Sequence, residues 1–238
     1  MKVEIRIKDE SVSWEDLVNL LHEAFQERLD QGLHFTCSYV TAEDLRQQLA
    51  KSTILIAVDT DSSVLVGMAA MDFKLNKKGA WAYVSNLAVK PQYKRRGIMA
   101  KLLHELVELA KSNQCEYIAS DTAVGAKSSV KWHKKHGFKI VGLHSFFSTN
   151  YYSYIFRKQL APHSLWDNSL YCWIRFSFSA LRCRLDFNAD GKTTKLMDLY
   201  LRIRQTRKKL YNGLCRKYLF FLISSVLLKI EDVEYCII

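Results

Sequence analysis

The chain has 238 residues, of which 49% are hydrophobic, and its 35 Lys and Arg outnumber its 24 Asp and Glu, giving a net charge of +11. This composition is that of a packed globular protein with an anionic partner, whether a phosphorylated small molecule, nucleic acid or anionic lipid. The charged N-terminus has no apolar signal segment and the six cysteines form no C-x-x-C pair, so we expect a cytoplasmic protein with free thiols rather than a secreted one held by disulfides.

A strand and two capped helices open the chain. Val3–Ile7 alternates apolar and charged residues, which is typical of a strand. Ser13 followed by Asp16, and Thr41 followed by Asp44, have the spacing of helix N-terminal capping residues. Three runs rich in β-prone residues then predict strands at 53–58, 64–73 and 81–89, the last of which is preceded by a turn at 76–79.

The stretch from Tyr83 to Lys111 changes from strand to helix through a basic turn. From Ile98 onward the apolar residues recur at helical spacing, with charged residues between them. The turn before this helix reads Lys94-Arg95-Arg96-Gly97. A turn that leads into a helix presents unpaired backbone N–H groups and the positive end of the helix dipole, both of which suit phosphate. The pattern therefore predicts a pyrophosphate site.

The remaining elements complete the order of the first 161 residues. A strand is expected at 116–120, a helix at 127–136, and two closing strands at 138–144 and 151–157. The order of elements predicts a mixed α/β fold of the α+β type. Its central sheet is mostly antiparallel and flanked by helices, and it occupies residues 1–161.

Residues 162–238 are expected to form a separate extension that is basic, aromatic-rich and helical. It carries 13 Lys and Arg against 7 Asp and Glu. An aromatic cluster around Trp166 and Phe178 precedes a turn at 186–195, a basic amphipathic helix at 196–210 and an apolar run at 218–228. The run is shorter than the about 20 residues that span a bilayer. Two interpretations stay open for it, a helix buried against the domain and contact with an anionic membrane surface.

The strand, turn and helix at residues 83–111 resemble the acetyl-CoA binding motif of the GNAT superfamily of N-acetyltransferases. Leu87-Ala88-Val89-Lys90-Pro91 corresponds to the end of the family's strand, and Lys94-Arg95-Arg96-Gly97-Ile98-Met99 to its loop. The chain departs from the motif at two positions. Lys94 stands where the family prefers Gln or Arg, and Met99 where it prefers Gly or Ala. The resemblance covers residues 1 to about 160.

The resemblance implies that acetyl-CoA is a co-substrate and that no metal takes part. Backbone N–H groups at the end of the strand would hold the pantetheine arm and polarise the thioester carbonyl, and those of the loop would grip the diphosphate. The implied cofactor-binding residues are Leu87, Ala88, Val89, Lys94, Arg95, Arg96, Gly97, Ile98, Met99, Ala100 and Ser129.

A second family motif suggests the catalytic residues. Gly137-Phe138 aligns this motif, so His133 takes the place of the tyrosine that protonates the departing thiolate. Two readings of His133 stay open, a general acid and a solvated histidine. The family's basic glutamate on the central strand is absent, and Ser85 stands there with Asn86. The carboxylates placed to face the crevice instead are Asp72 and Asp121.

We therefore expect an N-acetyltransferase that moves an acetyl group from acetyl-CoA to an amine. One candidate acceptor is an amino sugar of a surface glycan, which would place the enzyme in the cytoplasm at the membrane periphery. A second is an amine carried by RNA, such as aminoacyl-tRNA, although nucleic acid is the less favoured partner. A third alternative is a non-catalytic acyl-CoA binding module, because the expected Glu, Tyr and Asn are missing.

Overall fold

The computed structural model describes residues 2–76, 79–146, 149–161 and 168–186. The chain divides into one compact unit at Met1–Cys183 and a second at Arg184–Ile238. The predictions for Trp166, for the basic helix at 196–210, for the apolar run at 218–228 and for nearly all of the turn at 186–195 lie outside the described residues, as does the middle of the predicted turn at 76–79. The boundary at residue 161 between a domain and an extension stays a prediction.

The described chain contains seven strands and five α-helices. Their bounds are β1 Val3–Ile7, α1 Trp14–Asp30, α2 Ala42–Gln48, β2 Thr53–Asp59, β3 Val64–Asn76, β4 Gly79–Val89, α3 Ile98–Ser112, β5 Tyr117–Ala123, α4 Lys127–Lys135, β6 Lys139–Ser145, β7 Tyr152–Gln159 and α5 Ser169–Asp186. The predicted mixed α/β fold with a mostly antiparallel sheet is confirmed. Each strand and helix predicted within residues 1–161 is present. None of the described helices is both long enough and apolar enough to cross a membrane.

Capping side chains begin the first two helices where the sequence predicts them. The Ser13 hydroxyl accepts a hydrogen bond from the Asp16 N–H, while the Asp16 carboxylate accepts one from the Ser13 N–H. Thr41 caps α2 in the same way by accepting from the Asp44 N–H. These bonds satisfy donors that the first helical turn leaves without partners.

The sheet has the strand order β1-β2-β3-β4-β5-β7-β6, and every neighbouring pair except β4 with β5 is antiparallel. The parallel pair is short, because β4 and β5 align only at Ala82 with Ile118 and at Tyr83 with Ala119. Both strands continue beyond those positions, β4 to Val89 and β5 to Ala123. A gap therefore opens in the middle of the sheet, at the carboxyl ends of these two strands.

A β-bulge lies in β4 beside this gap. Met68 pairs with Ala88 and Ala70 pairs with Ser85, so two residues of β4 stand opposite the single residue Ala69. One of the two is Asn86, whose φ of 50° is in the left-handed region that asparagine tolerates better than most residues. The bulge bends β4 at the point where it leaves β5.

Apolar cores cover both faces of the sheet. Helix α3 packs on one face through a buried stripe whose members are Ile98, Leu102, Leu103, Leu106 and Ala110. Helices α1 and α2 pack on the other face, where the largest buried side chains are Leu17, Leu20, Leu21, Leu45, Ile56 and Met68. The two layers therefore pack on β4 from both sides.

Helix α5 covers the open edge of β6. The sequence analysis expected a helical extension after residue 161 but placed an aromatic cluster, and no particular helix, at these residues. The Leu143 N–H donates to the Ser179 Oγ at 2.9 Å, and the Ser179 hydroxyl donates to the Leu143 carbonyl at 2.8 Å. One serine thus satisfies both backbone groups of an edge residue. The residues of α5 that face inward, Cys172, Phe176, Ser179 and Cys183, include few strongly apolar ones, so helical periodicity is weak in the sequence.

Substituting Ser179→Ala should destabilise the protein by about 1–3 kcal/mol, because α5 then covers an N–H and a carbonyl of Leu143 that have lost their partner. Urea unfolding measures the change. Ser177→Ala, two residues away on the same helix, is the matched control and should change the free energy of unfolding by less than about 0.5 kcal/mol. Equal effects of the two substitutions would contradict the proposed anchor.

Candidate functional site

The loop between β4 and α3 presents backbone N–H groups. Arg95 and Gly97 both have φ in the left-handed region, 64° and 80°, and Gly97 is the N-cap of α3. The first bonds of the helix are donated by Ala100 and Lys101 to the Gly97 carbonyl. The N–H groups of Ile98 and Met99 therefore precede the hydrogen-bonded part of the helix, at the positive end of its dipole. The Ala100 N–H, in contrast, already has a backbone partner.

The side chains of this loop divide between the core and the solvent. Ile98 is buried and Met99 packs against the same core, so neither side chain obstructs the N–H groups. Lys94, Arg95 and Arg96 are exposed, and the Arg96 guanidinium lies 5.5 Å from the centre of the Tyr93 ring. The loop thus combines backbone donors with three cationic side chains, which is the composition of an anion site.

Helix α1 pairs with this loop through charges. The Lys94 Nζ lies 2.8 Å from the Glu27 Oε2, and the Lys90 Nζ lies 2.9 Å from the Glu23 Oε1. The hydrogen bond from Lys94 and its charge lower the pKa of Glu27, so this carboxylate stays ionised at neutral pH. Lys94, a predicted phosphate ligand, is therefore already paired with a carboxylate in the free protein.

The end of β4 presents alternate backbone groups to the gap. The Lys90 N–H binds the Val66 carbonyl at 2.9 Å, so Val89, its neighbour, directs its N–H to the opposite edge, where β5 has diverged. The Leu87 and Val89 side chains pack on the α3 side of the sheet and the Ala88 side chain on the α1 side. All three side chains are thus part of the core, and only their backbone groups are available to a ligand.

A cleft of about 490 Å³ lies between α1 and the start of α4. Its lining residues are Glu27, Arg28, Gln31, Leu33, Gly125, Lys127 and Ser128. The Arg28 guanidinium donates a hydrogen bond to the Ser128 hydroxyl and so joins the two walls. Ser129, a predicted cofactor contact, follows in the first turn of α4, next to this cleft.

His133 is enclosed by aromatic rings on the α4 side of the sheet. It is 5% exposed and stacks on Phe156 with ring centres 4.4 Å apart, so the alternative of a solvated histidine is wrong. Its Nδ1 donates to the Ser129 carbonyl at 2.8 Å, which leaves Nε2 to face the Ser120 hydroxyl at 3.3 Å. Burial lowers the pKa of His133 below its usual 6.5, so the ring is neutral at pH 7.

On the opposite face of the sheet, Tyr83 lies between the two predicted carboxylates. Asp72 is its direct partner across β3 and β4, and Asp121 lies two residues beyond Ala119, its partner on β5. The Tyr83 hydroxyl donates a hydrogen bond to the Asp121 carboxylate. Burial raises the pKa of Asp121, although this hydrogen bond opposes the rise. Burial and the charge of Asp121 raise the pKa of Tyr83, so the phenol stays protonated.

Asp72 and Ser85 stand at the margin of this cluster. Asp72 accepts a hydrogen bond from the hydroxyl of Ser52, the residue before β2, and lies 3.6 Å from the Nζ of Lys74 on β3. Two side chains therefore already engage its carboxylate. Ser85 is half-buried opposite Ala70, directly before the bulge. The structure thus brings Asp121 and Tyr83 together at the gap and places His133 on the other side of the sheet.

Two segments distant in sequence, residues 32–37 and 150–151, contact each other on the Asp121 side of the gap. Asn150 accepts a hydrogen bond from the His34 N–H and donates one to the Gly32 carbonyl, which joins the loop before β7 to the loop after α1. The Tyr151 ring packs 4.8 Å from Phe35, and the Cys37 thiol donates to the Asn86 side chain at 3.0 Å. Sequence reasoning missed these contacts, since no local pattern links residues 32–37 to 150–151.

Comparison with protein families identifies one match. The sequence model of the acetyltransferase (GNAT) family matches residues 14–138, which is more than half of the chain. A comparison with curated protein sequences found no match.

Solved structures of acetyltransferases share the fold. The NatC complex bound to Gag peptide and CoA contains a chain with 17% identity and a TM-score of 0.54, over 68% of this chain and 100% of that one. A GNAT family acetyltransferase from Elizabethkingia anophelis with acetyl-CoA bound has 16% identity and a TM-score of 0.51, over 66% and 98%. The ribosomal-protein-S18-alanine N-acetyltransferase from Escherichia coli has 11% identity and a TM-score of 0.53, over 69% and 97%.

The buried, neutral His133 predicts a pH dependence of stability. Its pKa is lower in the folded chain than in the unfolded one, so the unfolded chain binds the proton first as the pH falls. The contribution of His133 to stability should therefore be constant above pH 6.5 and fall below it, by up to about 1.4 kcal/mol per pH unit. Urea unfolding between pH 7 and pH 5 measures this slope.

Two substitutions test whether His133 causes this slope. His133→Gln should flatten the slope, while His104→Gln, at an exposed position on α3, should leave it unchanged. The same slope in the wild type and in His133→Gln would contradict the assignment.

Proposed function

The chain belongs to the GNAT acetyltransferase family and acetyl-CoA is its acyl donor; we propose that its acceptor is a primary amine, which enters from the Asp121 side of the gap between β4 and β5. The observation that carries this proposal is the hydrogen-bonded pair of Tyr83 and Asp121 at the point where the two strands part. It provides a proton acceptor on the face opposite His133.

The described residues fit the bound donor, which supplies the acetyl thioester. In the proposal, the N–H groups of Ile98 and Met99 and the α3 dipole bind the diphosphate, and Lys94, Arg95 and Arg96 add positive charge. The Val89 N–H, directed into the gap, binds the extended arm. The bulge after Ser85 turns the strand so that the backbone groups around Leu87 also face the pantetheine arm. Ser129, in the first turn of α4, lies on the other side of the arm.

Proton removal from the amine is assigned to Asp121 acting with Tyr83. An ammonium group has no lone pair, so it must lose a proton before it attacks the thioester. The Tyr83 oxygen accepts that proton as its own hydroxyl proton moves along the existing hydrogen bond to Asp121. The raised pKa of Asp121 makes this carboxylate a better base than an ordinary aspartate. His133 stays a prediction as the proton donor to the departing thiolate. In that role the ring must first bind a proton at Nε2, because the neutral ring carries its single proton on Nδ1, which the Ser129 carbonyl holds.

The transfer is direct in this proposal, without an acetylated cysteine. Cys37 is the thiol next to Asn86 of the bulge, and burial raises its pKa to about 12. The thiol therefore stays protonated at neutral pH and is a poor nucleophile. Both substrates must then be bound together, and their alignment is worth about 7–11 kcal/mol of the barrier.

The side chains near Asp121 support an amino sugar as the acceptor. The carboxylate of Asp121 suits the amine, and the rings of Phe35 and Tyr151 offer apolar surfaces to the flat face of a sugar. Cys37 and Cys115 are free thiols, which supports the proposed cytoplasmic location. Aminoacyl-tRNA and a non-catalytic role in acyl-CoA binding are the alternatives that the following experiment separates.

Thiol release from acetyl-CoA, measured with amino sugars, aminoacyl-tRNA, peptides and polyamines, tests the proposed function. We expect turnover with amino sugars, and Asp121→Asn should lower kcat/KM by about 10²- to 10⁴-fold because the amine keeps its proton. The affinity for CoA, measured by calorimetry, should not change.

Two further variants define the role of the pair. Tyr83→Phe removes the hydroxyl and should lose activity in the same range as Asp121→Asn. Asp72→Asn, on the same face of the sheet, should cost less than either, since Ser52 and Lys74 engage that carboxylate. Tight CoA binding without turnover on any amine would instead support a binding module, and turnover on aminoacyl-tRNA alone would support the RNA alternative.

Releasing Lys94 from Glu27 should strengthen CoA binding. An exposed ion pair of this kind is worth about 0.2–1 kcal/mol, so Glu27→Gln should lower the dissociation constant for CoA by up to about fivefold at low salt. Glu23→Gln removes the same charge one helical turn earlier, where its partner is Lys90, and should have a smaller effect. Weaker CoA binding by Glu27→Gln would show that the ion pair positions the loop rather than competing with phosphate.

A further inference from the structure

Helix α5 exposes a stripe of large apolar side chains. Five residues that are between 39% and 69% exposed form this stripe, namely Leu170, Trp173, Ile174, Phe178 and Leu181. They follow one another at steps of 3, 1, 4 and 3, which at about 100° per residue places them on one side of a helix. Contiguous apolar surface of this kind marks an interaction site more often than a single exposed leucine does.

The opposite side of α5 packs against the domain. Cys172 and Cys183 are buried, Ser179 is bonded to the backbone of Leu143, and the Phe176 ring lies 5.9 Å from that of Tyr154. The helix cannot turn its stripe inward without breaking these contacts. The stripe therefore stays exposed while α5 is packed against the domain.

The charge of α5 is positive. The helix contains three arginines, Arg175, Arg182 and Arg184, and one acidic residue, Asp186, and the stripe itself contains no acidic residue. The surrounding sequence has the same sign, since residues 162–238 hold 13 Lys and Arg against 7 Asp and Glu. An apolar stripe that contains Trp and Phe in a basic segment is the composition of a helix that lies in the surface of an anionic bilayer.

We infer that α5 holds the protein on the surface of a bilayer that contains anionic lipids, with Trp173 and Phe178 inserted among the headgroups. Like charge opposes the rival in which two copies of α5 pair face to face. Each helix belongs to a segment with an excess of Lys and Arg, and two such segments repel each other, whereas anionic headgroups attract both. An acetyltransferase held in this way would act on amines presented at the same surface.

Co-sedimentation of the full chain with vesicles tests this inference. One set of vesicles is phosphatidylcholine alone, and the other is an equimolar mixture of phosphatidylcholine and phosphatidylglycerol. We expect binding to the mixed vesicles that weakens as salt is added. Substituting both Trp173→Ser and Phe178→Ser should lower the partition coefficient at least about tenfold, because two buried aromatic side chains are lost from the interface.

Leu75→Ser is the matched control, since Leu75 is an apolar residue on β3 that is 83% exposed. It should leave the partition coefficient unchanged. Because all three substituted side chains are exposed, thermal unfolding should show that the variants fold. Absence of binding by the wild type would overturn the inference, and so would binding that the double variant retains, because residues outside the stripe would then be responsible.

Fluorescence and size measurements add two independent readouts. Brominated lipid in the mixed vesicles should quench the wild type, and Trp173→Phe should bind equally while losing that quenching. Equal quenching in both proteins would contradict insertion of Trp173. Sedimentation equilibrium without lipid should show a monomer, and a dimer that the double variant dissociates would overturn the inference by identifying the stripe as an interface between copies.

Discussion

The short pairing between β4 and β5 is the constraint on which the site depends. Adjacent strands normally satisfy each other's backbone N–H and C=O groups, and unpaired groups away from water are costly. Here the pairing ends at Tyr83 and Ala119, while the antiparallel neighbours β3 and β7 hold both strands in place as they diverge. The inner edges of the gap therefore carry backbone groups that an extended ligand can bind. Both sides of the gap are strands of a rigid sheet, so the protein loses little conformational freedom when the ligand binds.

Helix α1 connects the two sides of that gap by polar contacts. Its C-terminal half contacts Lys94, in the loop before α3, through Glu27, and it contacts Ser128, at the start of α4, through Arg28. Surface ion pairs of this kind are weak and exchange partners readily. In the proposed complex Lys94 exchanges a carboxylate for a phosphate, so donor binding and the position of α1 are coupled. The same helix leads into the loop that Asn150 joins to the start of β7, so α1 is connected to both of the proposed substrate sites.

The two faces of the sheet give similar polar residues different chemistry. His133 lies among aromatic rings with its Nδ1 proton held by a backbone carbonyl, so burial keeps it neutral. Asp121 lies on the opposite face of the sheet, where the Tyr83 hydroxyl is its partner, and burial raises its pKa and so makes it a stronger base. Covering the outer edge with α5 has a further effect. The edge strand β6 gains hydrogen-bond partners for its backbone. The apolar side of α5 that does not contact the sheet is exposed.

The amino-acid sequence alone was enough for the order of elements and for the basic turn that leads into α3, since both are local. Capping pairs such as Ser13 and Asp16, the change of apolar period at Ile98 and the left-handed position of Gly97 act within a few residues. Only the tertiary structure decided the length of β5, the burial of His133 and the meeting of Tyr83 with Asp121. It also decided that α5 docks through a serine and two cysteines, residues that carry no strong apolar signal. The reason is physical: these features depend on which strands lie side by side and where their pairing stops, and contacts between residues far apart in the chain determine that.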